Sequence, residues 1–418
     1  MLWSRWTKDR CPCSLTAPVP MFLDRLVARN RDFVIAAVAL HQAGRVLANT
    51  YLIDLDMLRR NAAVIRDAAS QNSLMPYFMA KQFGRNPDAC KVIAETGIEK
   101  AVAVDLQEMD ALLRGGSRIG HVGHLVQSHR GSEDAVIRAE PDVVTVFSIE
   151  VAERLGRAAT RAGRVQDILL RVTGPGDFFY FGHGGGFPFD DIQAAAKKID
   201  AIDGLSVAGV TTFPCLLGDP EAKQVRPTPN FSTLREAGQR LSAAGFELRQ
   251  VNAPGTNSAQ TMVTLREHGA THVEPGNALH GTTPMHIFDP DAPELPAILY
   301  VSEISHIQGD GAYAFAAGLY IDKVLGDYPL RALCGRDEDI IGRTFRAESA
   351  PDGAIHYYCV LRLPGAHDVS VGDTVIFCFR PQTFVTRART QAVADIHAGE
   401  PQPLAVYDQE ARMVEGKA

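Results

Sequence analysis

The sequence has few of the features that would place it in a specialised class of protein. Its seven cysteines are an odd, scattered set, which does not form a disulfide framework and indicates a reducing, cytoplasmic location. It contains no run of about eighteen apolar residues, so no membrane-spanning helix is predicted. It has no basic block interleaved with aromatic residues, and its net charge of −7 argues against a nucleic-acid partner.

The composition that remains is that of a globular protein. Of 418 residues, 46% are hydrophobic and 22% are charged, and a chain of this length is expected to form two domains. The first twenty residues lack the continuous apolar stretch of a signal peptide, and a clear pattern begins only at Met21. Residues 1–20 are therefore predicted to be a disordered extension, or to precede a start site that is not used.

Strand-like and helix-like segments alternate between residues 74 and 290. Eight strand-like segments occur: Leu74–Lys81, Ala101–Asp105, His121–Gln127, Val143–Phe147, Ile168–Val172, Val207–Phe213, Leu248–Asn252 and Thr271–Glu274. Helix starts are marked by Asn86-Pro87, by Asp105 with Glu108, and by Ser148. Eight β/α units predict a TIM barrel with its working loops at the carboxyl ends of the strands. A doubly wound sheet is the alternative, but its usual glycine-rich first turn is missing.

The pattern changes at about residue 291. Short β-rich segments separated by turn residues follow, at Ala297–Ile304, Tyr313–Ile321, His356–Leu363, Thr374–Phe379 and Thr383–Val393. Residues 291–418 are therefore predicted to form a second, β-rich domain.

Three segments at predicted strand ends carry chemistry. Lys81 follows the first barrel strand, where burial lowers the pKa of a lysine and makes its amine able to form a Schiff base. Segment 252–258 is rich in glycine and hydroxyl side chains and precedes a helix, which is typical of a phosphate site. Glu274 ends the last strand, and Gly276 lets the backbone approach a bound group. A lysine, a phosphate site and a carboxylate are what pyridoxal phosphate requires.

Four motifs carry a resemblance to a known family: Ile53–Asp56, Ala80–Asn86, Gly120–Gln127 and Glu274–Gly276. Through them the chain resembles the fold type III pyridoxal-phosphate enzymes, the alanine racemase-like group, and within it the YhfX-type proteins. The resemblance runs from about Met21 to about residue 400. It implies that Lys81 is the Schiff-base lysine and that Glu274 pairs with the pyridine nitrogen. It further implies that the phosphate is surrounded by Thr256, Asn257, Ser258, Gly276 and Asn277.

The resemblance also has implications for assembly. It implies that residues 21–73 pack with the C-terminal domain and that two chains form a head-to-tail homodimer with shared active sites. A racemase needs an acid or base on each face of the substrate α-carbon, and Lys81 serves one face. The second group is expected from the partner's β domain, with Tyr313, Tyr320 and Cys334 as candidates. Arg380 is a candidate for binding the substrate carboxylate, because arginine can do so with two hydrogen bonds.

Aromatic residues near the predicted barrel mouth give further candidates. The loop of residues 174–187 combines glycines with aromatics, which are predicted to cover the mouth as a lid or substrate wall. His183 in this loop is a candidate substrate contact. Phe213, at the end of the sixth strand, either stacks on the pyridine ring or belongs to the barrel core.

No metal site is predicted. Residues three apart on a strand point to opposite faces, so only one of His121 and His124 is expected at the barrel mouth, and we take His124 as the cofactor contact. His356 and Cys359 are spaced more widely than the zinc ligands of related lyases.

The predicted function is racemisation of an amino acid by a pyridoxal-phosphate enzyme that works through a Schiff base at Lys81 and an α-carbanion. The alternative is a lyase or decarboxylase, because related decarboxylases share the Glu-Pro-Gly pattern. They follow it with arginine, however, where Asn277 stands here. A non-catalytic protein of cofactor homeostasis is disfavoured by the additional β domain, and a cofactor-free hydrolase by the lack of a paired-carboxylate motif.

Overall fold

A computed structural model describes residues 21–322, 328–351 and 353–416, so the prediction made for residues 1–20 lies outside the described residues. The helices are α1 (Phe22–Arg29), α2 (Arg31–Gln42), α3 (Leu55–Gln71), α4 (Pro87–Glu95), α5 (Leu106–Arg114), α6 (Glu133–Arg138), α7 (Ile149–Arg161), α8 (Ile192–Asp200), α9 (Pro229–Ala243), α10 (Met262–Glu267) and α11 (Met285–Phe288). Within the described parts of the chain, none of them is both long and apolar enough to cross a membrane.

The strands of the first half are β1 (Thr50–Asp54), β2 (Met75–Pro76), β3 (Phe78–Met79), β4 (Lys100–Ala103), β5 (Arg118–Val122), β6 (Val143–Val146), β7 (Gln166–Thr173), β8 (Phe187–Pro188), β9 (Leu205–Thr211), β10 (Leu216–Asp219), β11 (Gln224–Pro227), β12 (Gln250–Asn252) and β13 (His272–Val273). Those of the second half are β14 (Ile298–Gln308), β15 (Gly311–Phe315), β16 (Arg331–Gly335), β17 (Thr344–Glu348), β18 (Tyr358–Arg362), β19 (Thr374–Phe377), β20 (Arg389–Ala394), β21 (Gln402–Tyr407) and β22 (Met413–Glu415).

The predicted barrel is confirmed. Its parallel strands follow the order β2-β13-β12-β9-β7-β6-β5-β4-β3. β2 pairs with β13 and β3 pairs with β4, so the ring closes through a first strand that is interrupted at Tyr77. This strand was expected to run to Lys81, but it ends at Met79, and Lys81 lies in a 3-10 turn.

Helix caps determine where the loops at the barrel mouth end. The side chain of Asn86 accepts a hydrogen bond from the N–H of Ala89 at 3.0 Å, and Asp105 accepts one from the N–H of Glu108 at 2.7 Å. Ser148 caps the start of α7 in the same way. These are the residues that the sequence marked as helix starts, and each lies immediately after a barrel strand or its turn.

The second sheet is mostly antiparallel, with the order β15-β18-β17-β16-β19-β14-β1-β20-β21-β22. β15 also pairs with β14, which closes the first part of this sheet into a ring. The strand β1 enters the sheet between β14 and β20, so the chain begins in the β domain before it enters the barrel. Helices α1 and α2 pack on this sheet through Leu26 and Phe33, against Leu299 and Ile376.

The β domain differs in detail from the prediction. Strands β16, β17, β21 and β22 were not expected, and the strand predicted from Thr383 begins only at Arg389, after a 3-10 turn. The composition of β17 explains why this strand was missed: four of its five residues are partly or fully exposed and two are charged, so no apolar alternation marks it.

Asp54 connects the two domains at the point where β1 ends and α3 begins. The side chain is fully buried, and its Oδ1 accepts a hydrogen bond from the N–H of Met57 at 3.0 Å, which caps α3. Its Oδ2 accepts from Asn30 Nδ2 at 2.9 Å and lies 3.0 Å from His397 Nε2. One carboxylate therefore holds together a barrel helix, the N-terminal helices and the β domain.

We expect Asp54→Ala to lower the free energy of unfolding by about 2–4 kcal/mol, because it removes a helix cap and leaves buried donors without an acceptor. Asp54→Asn keeps the helix cap but places an amide N–H against one of those donors. It should therefore lower the free energy of unfolding by less than Asp54→Ala does. Chemical denaturation of the unchanged protein and the two variants measures the order of their stabilities. Equal stability of Asp54→Ala and the unchanged protein would contradict this role.

Candidate active site

One cavity of about 1650 Å³ lies where the barrel mouth meets the β domain. Most of the residues singled out in the sequence line it: Lys81, His124, His183, Phe213, Thr256, Asn257, Glu274, Gly276, Asn277, Tyr320 and Arg380. Barrel loops and the β domain both contribute to its wall. The site is therefore built at the junction of the domains, at the carboxyl ends of the barrel strands.

The turn that carries Lys81 is held by the β domain. Thr383 donates a hydrogen bond to the carbonyl of Gln82 at 2.6 Å, and Arg85 donates one to the carbonyl of Gln409 at 2.6 Å. Gly84 has a φ of +67°, and a Cβ there would meet Gln409 and Thr390 at 2.6 Å. The turn therefore requires glycine, both for its left-handed conformation and for the close approach of the second domain.

The amine of Lys81 lies in an environment that disfavours its charge. Burial lowers the pKa of Lys81, Glu108 opposes this effect, and the guanidinium of Arg380 adds to it. Its Nζ lies 5.4 Å from the centre of the Phe384 ring, which comes from the β domain. A larger fraction of neutral amine near pH 7 makes Lys81 a better nucleophile and proton acceptor than a lysine in water.

Glu274 is buried at the centre of a hydrogen-bonded cluster. Its Oε1 lies 2.5 Å from His121 Nδ1 and accepts from Asn252 Nδ2 at 2.8 Å, and its Oε2 lies 2.9 Å from His124 Nδ1. Burial alone would raise the pKa of Glu274, but the imidazoles of His124 and His121 hold it well below its usual range. The carboxylate is therefore ionised. Asn257 fixes the backbone behind it, since its Oδ1 accepts from the Glu274 N–H at 2.8 Å.

The expectation that His121 and His124 face opposite ways is wrong. Strand β5 ends at Val122, and Gly123 has a φ of +83°, so the alternation of an extended strand does not reach His124. Both imidazoles consequently turn towards Glu274. The nitrogen and oxygen atoms of these three side chains lie within 4.8 Å of one another, an arrangement that a metal ion could also use.

The predicted phosphate site consists of backbone more than of side chains. Thr256, Asn257, Gly276 and Asn277 line the cavity, and the N–H groups of the last three make no hydrogen bond within the described part of the chain. The Asn257 and Asn277 side chains bond instead to the protein, to Ala253 and to Thr282. Ser258 is buried outside the cavity wall, where its N–H donates to Thr261.

The β domain contributes an ion pair to the cavity wall. Arg380 is ion-paired with Asp322, and Gln382 Nε2 donates to the same carboxylate at 2.6 Å. Tyr320 and Tyr328 lie beside them in the cavity wall. Because the Arg380 guanidinium already has an acidic partner, a substrate carboxylate would have to share it with Asp322.

The loop of residues 174–187 lies at the cavity, as its position after β7 suggested. Tyr180 and His183 line the wall and pack around Phe213, with ring centres 5.9 and 6.1 Å from it. Arg171, fully buried on β7, donates hydrogen bonds to the carbonyls of His124 and His183. No carboxylate of the described residues forms an ion pair with the Arg171 guanidinium. Its two hydrogen bonds connect the loop to the strand end that carries His124.

Two candidates for the second acid do not reach the cavity of their own chain. Cys334 points into the core of the β domain, where burial raises the pKa of its thiol to about 12. Tyr313 stacks on His306, with ring centres 4.4 Å apart, and does not line the cavity. Tyr320 does line it and is half exposed. His356 lines the cavity as well, whereas Cys359 is buried away from it.

Several cavity residues were not anticipated from the sequence. Asp105 was expected only as a helix cap, Gln82 only as a member of the motif Ala80–Asn86, and no motif drew attention to Asp322, Tyr328 or Phe384. Gln82 is adjacent to Lys81 and touches Gly276, where a Cβ would meet its side-chain amide at 2.7 Å. Its position in the lysine turn was the one signal available, since the β-domain residues belong to loops without a recognisable pattern.

Comparison with known families supports this architecture. The family model of the alanine racemase N-terminal domain matches residues 53–284, and that of the YhfX-like C-terminal domain matches residues 299–402. The chain is 36% identical over 388 residues to the uncharacterized protein YhfX of Escherichia coli K12, which covers 93% of this chain and 98% of that protein.

Solved structures with the same fold include enzymes with different reactions. D-threonine aldolase from Filomicrobium marinum has a TM-score of 0.66 and 19% identity, and covers 88% of this chain and 96% of its own. D-threo-3-hydroxyaspartate dehydratase from Delftia sp. HT23 has a TM-score of 0.64 and 18% identity, with coverages of 85% and 96%. Alanine racemase from Clostridium difficile 630 has a TM-score of 0.64 and 16% identity, with coverages of 86% and 98%. At these identities the likeness concerns the fold alone.

Together, the two domain matches and the full-length relative show that the chain belongs to the YhfX-like branch of the fold type III pyridoxal-phosphate enzymes, with an alanine racemase N-terminal domain.

Proposed function

We propose that the protein is a pyridoxal-phosphate-dependent amino-acid racemase that works through Lys81. One observation carries the proposal: a lysine with a lowered pKa, a group of free backbone N–H donors and an ionised carboxylate all line the same cavity. The five cysteines in the described part of the chain are free, which is compatible with a cytoplasmic enzyme.

The cavity residues fit this cofactor. The uncommitted N–H groups of Asn257, Gly276 and Asn277 suit phosphate oxygens, which are acceptors only. Gly255 lets the loop run close to β10, because a Cβ there would meet the N–H of Leu216 at 2.7 Å. Phe213 offers an aromatic face at the cavity wall, and His124 has a buried ring nitrogen without a partner.

When bound, pyridoxal phosphate supplies an aldehyde that condenses with amines and a conjugated ring that accepts the electron pair left on the substrate α-carbon. The Lys81 amine would hold the cofactor and, as a free amine, would take or return the α-proton on one face. The ionised Glu274 favours a protonated ring nitrogen, which makes the ring a stronger electron acceptor. Arg380, with its partner Asp322, would bind the substrate carboxylate, and His183 would contact the substrate from the loop side.

A racemase also needs a proton carrier on the other face. Tyr320 is the strongest of the three candidates, because it enters the same cavity from the β domain while Lys81 enters from the barrel. Tyr313 and Cys334 would require a different surface, that of a partner chain.

A lyase is the second candidate, and the ionised Glu274 is the observation that favours it. Strong electron withdrawal through a protonated ring assists loss of carbon dioxide or an aldehyde as well as loss of a proton. Racemisation is preferred because proton-carrying side chains reach the cavity from both domains.

We further propose a homodimer. Apolar side chains are exposed around the cavity mouth, since Phe181 is fully exposed beside two cavity residues and Ile355 and Tyr357 flank His356 with exposed fractions of 68% and 58%. Exposed apolar groups collected around one site are typical of a protein–protein contact.

Borohydride treatment of the protein loaded with cofactor should bleach a visible absorption band and leave the cofactor attached to Lys81 by a stable amine, as peptide mass spectrometry would show. Lys81→Ala should abolish the attachment. Lys100→Ala is the matched control, because Lys100 is a barrel lysine ion-paired with Asp142. Attachment at another lysine, or no attachment, would refute the role of Lys81.

Incubation with a panel of amino acids in heavy water should give inverted product that carries deuterium at the α-carbon. Tyr320→Phe should slow this exchange by about 100-fold or more, the usual contribution of a positioned acid. Tyr357→Phe, which alters an exposed tyrosine outside the cavity wall, should have little effect. Release of an aldehyde or carbon dioxide without inversion would favour the lyase instead.

Light scattering coupled to gel filtration should give the mass of two chains. Replacing Ile355 and Tyr357 together by aspartate should shift the protein towards the monomer, because charges would then be buried at the contact. A monomeric parent protein would rule out the shared active site. The double variant should keep its far-ultraviolet circular dichroism if the effect is confined to the contact.

A further inference from the structure

Three protein side chains approach the carboxylate of Glu274, and two of them bond to the same oxygen. His121 and Asn252 approach Oε1 at 2.5 and 2.8 Å, and His124 approaches Oε2 at 2.9 Å. Oε1 therefore has two hydrogen-bond partners, whereas the angles of the ion pair with His124 leave Oε2 and both ring nitrogens of His124 without a hydrogen bond among the described residues. All four side chains are buried, so water does not replace any of these contacts.

His124 is the member of this cluster that still has bonding capacity. Its Nε2 is buried and has no hydrogen-bond partner among the described residues, and the side chain lines the cavity. His121, in contrast, is bonded at both nitrogens, by Glu274 and by Thr145 at 2.6 Å, and it does not line the cavity. A buried polar atom without a partner is unfavourable, so a ligand that bonds to Nε2 of His124 removes an energetic cost.

The distances in the cluster favour shared protons over a metal ion. Zinc binds histidine nitrogens at about 2.0–2.1 Å, so a tetrahedral site keeps its ligand atoms roughly 3.3 Å apart. The separations of 2.5 and 2.9 Å from the carboxylate are those of charge-assisted hydrogen bonds. His121 therefore donates its Nδ1–H to Glu274 Oε1, while Nδ1 of His124 is ion-paired with Oε2, and Nε2 of His124 has no partner among the described residues.

We propose that Glu274 acts on the cofactor through His124, whose Nε2 bonds to the ring nitrogen while Glu274 holds Nδ1. The inference rests on the proposed function, because it requires bound pyridoxal phosphate. The proton of the ring nitrogen is shared with Nε2: the bond from ring nitrogen to hydrogen lengthens or breaks as the bond from Nε2 to hydrogen forms. The imidazolium that results lies against an ionised carboxylate, as in other carboxylate–histidine pairs.

The remaining members of the cluster are positioning residues. His121 and Asn252 bond to Oε1 and leave Oε2 directed at His124. Phe213 packs edge-on against the His124 ring, with centres 5.3 Å apart, and restricts its rotation. The titratable groups with the largest effect on His124 are Glu274, His121 and Lys81. Only Glu274 among them carries a negative charge, so it is the group that stabilises a protonated His124.

Nitrogen NMR of bound pyridoxal phosphate labelled at its ring nitrogen tests this relay directly, because the chemical shift separates the protonated from the unprotonated ring. The proteins compared are the unchanged chain, Glu274→Gln, His124→Gln, His124→Phe and the double variant Glu274→Gln/His124→Gln. His272→Gln is the matched control: His272 is a barrel histidine two positions from Glu274 that packs on Tyr77 and does not line the cavity.

The relay predicts a protonated ring in the unchanged protein and a shift towards the unprotonated signal in both His124 variants, as large as in Glu274→Gln. The double variant should add nothing further, and His272→Gln should change nothing. The Kd for the cofactor should rise about tenfold in His124→Gln, the usual cost of one charge-assisted hydrogen bond.

A cofactor-binding His124 variant that keeps the signal of the unchanged protein would overturn the relay and leave Glu274 as the direct partner. Zinc bound in a one-to-one ratio and lost in His124→Gln would overturn it as well. Two His124 variants are included so that misfolding of one does not decide the result. A protein that binds no pyridoxal phosphate would overturn the proposed function itself, a different outcome from failure of the relay alone.

Discussion

The site depends on a negative charge buried where water cannot solvate it. An ionised carboxylate without donors would be strongly disfavoured inside a barrel, and Glu274 remains ionised because separate strands supply donors to it. His121 comes from β5, His124 from the residues just after it, and Asn252 from β12. His121 is itself held by a hydrogen bond with Thr145, and the backbone of Glu274 by one with Asn257. Removing one member would leave several buried polar groups unsatisfied, so the cluster is expected to be rigid.

The second constraint is that the turn carrying Lys81 is completed by the other domain. A short 3-10 turn such as Lys81–Phe83 has little stability of its own. The turn is contacted from the β domain by Thr383, Gln409 and Thr390. These contacts are possible because Gly84 has no Cβ. The strand β1 also links the two domains, because it precedes the barrel in the sequence but pairs with β14 and β20 of the β sheet. Neither domain alone would present Lys81 in its observed position.

The sequence predicts the barrel and its chemical residues well, because both depend on local patterns. Alternating strands and capped helices mark the β/α units, and Lys81 and Glu274 stand beside glycine or proline at strand ends. Prediction from the sequence fails where the backbone departs from regular strand or helix conformation. The positive φ of Gly123 turned His124 to the same side as His121, and no period-two rule contains that information. Asp322 and Phe384 come from irregular segments of the β domain, where the meeting of distant segments, not a motif, places them in the cavity.

At the predicted phosphate site, the residue that follows the Glu-Pro-Gly motif determines how the charge of a phosphate would be compensated. Asn277 follows the Glu-Pro-Gly motif at the position where related decarboxylases carry arginine, and its side chain bonds to Thr282 instead of projecting a charge into the cavity. Among the described residues around the predicted phosphate position, the donors are neutral backbone N–H groups. Neutral donors orient a phosphate but compensate its charge less than a guanidinium does. Under the proposed function, the covalent bond to Lys81 would therefore contribute a larger share of cofactor retention than it would with arginine present. In the proposed reaction, the phosphate contacts alone would hold the cofactor while the substrate amine occupies the place of Lys81, so those neutral donors would carry the whole of its retention at that stage.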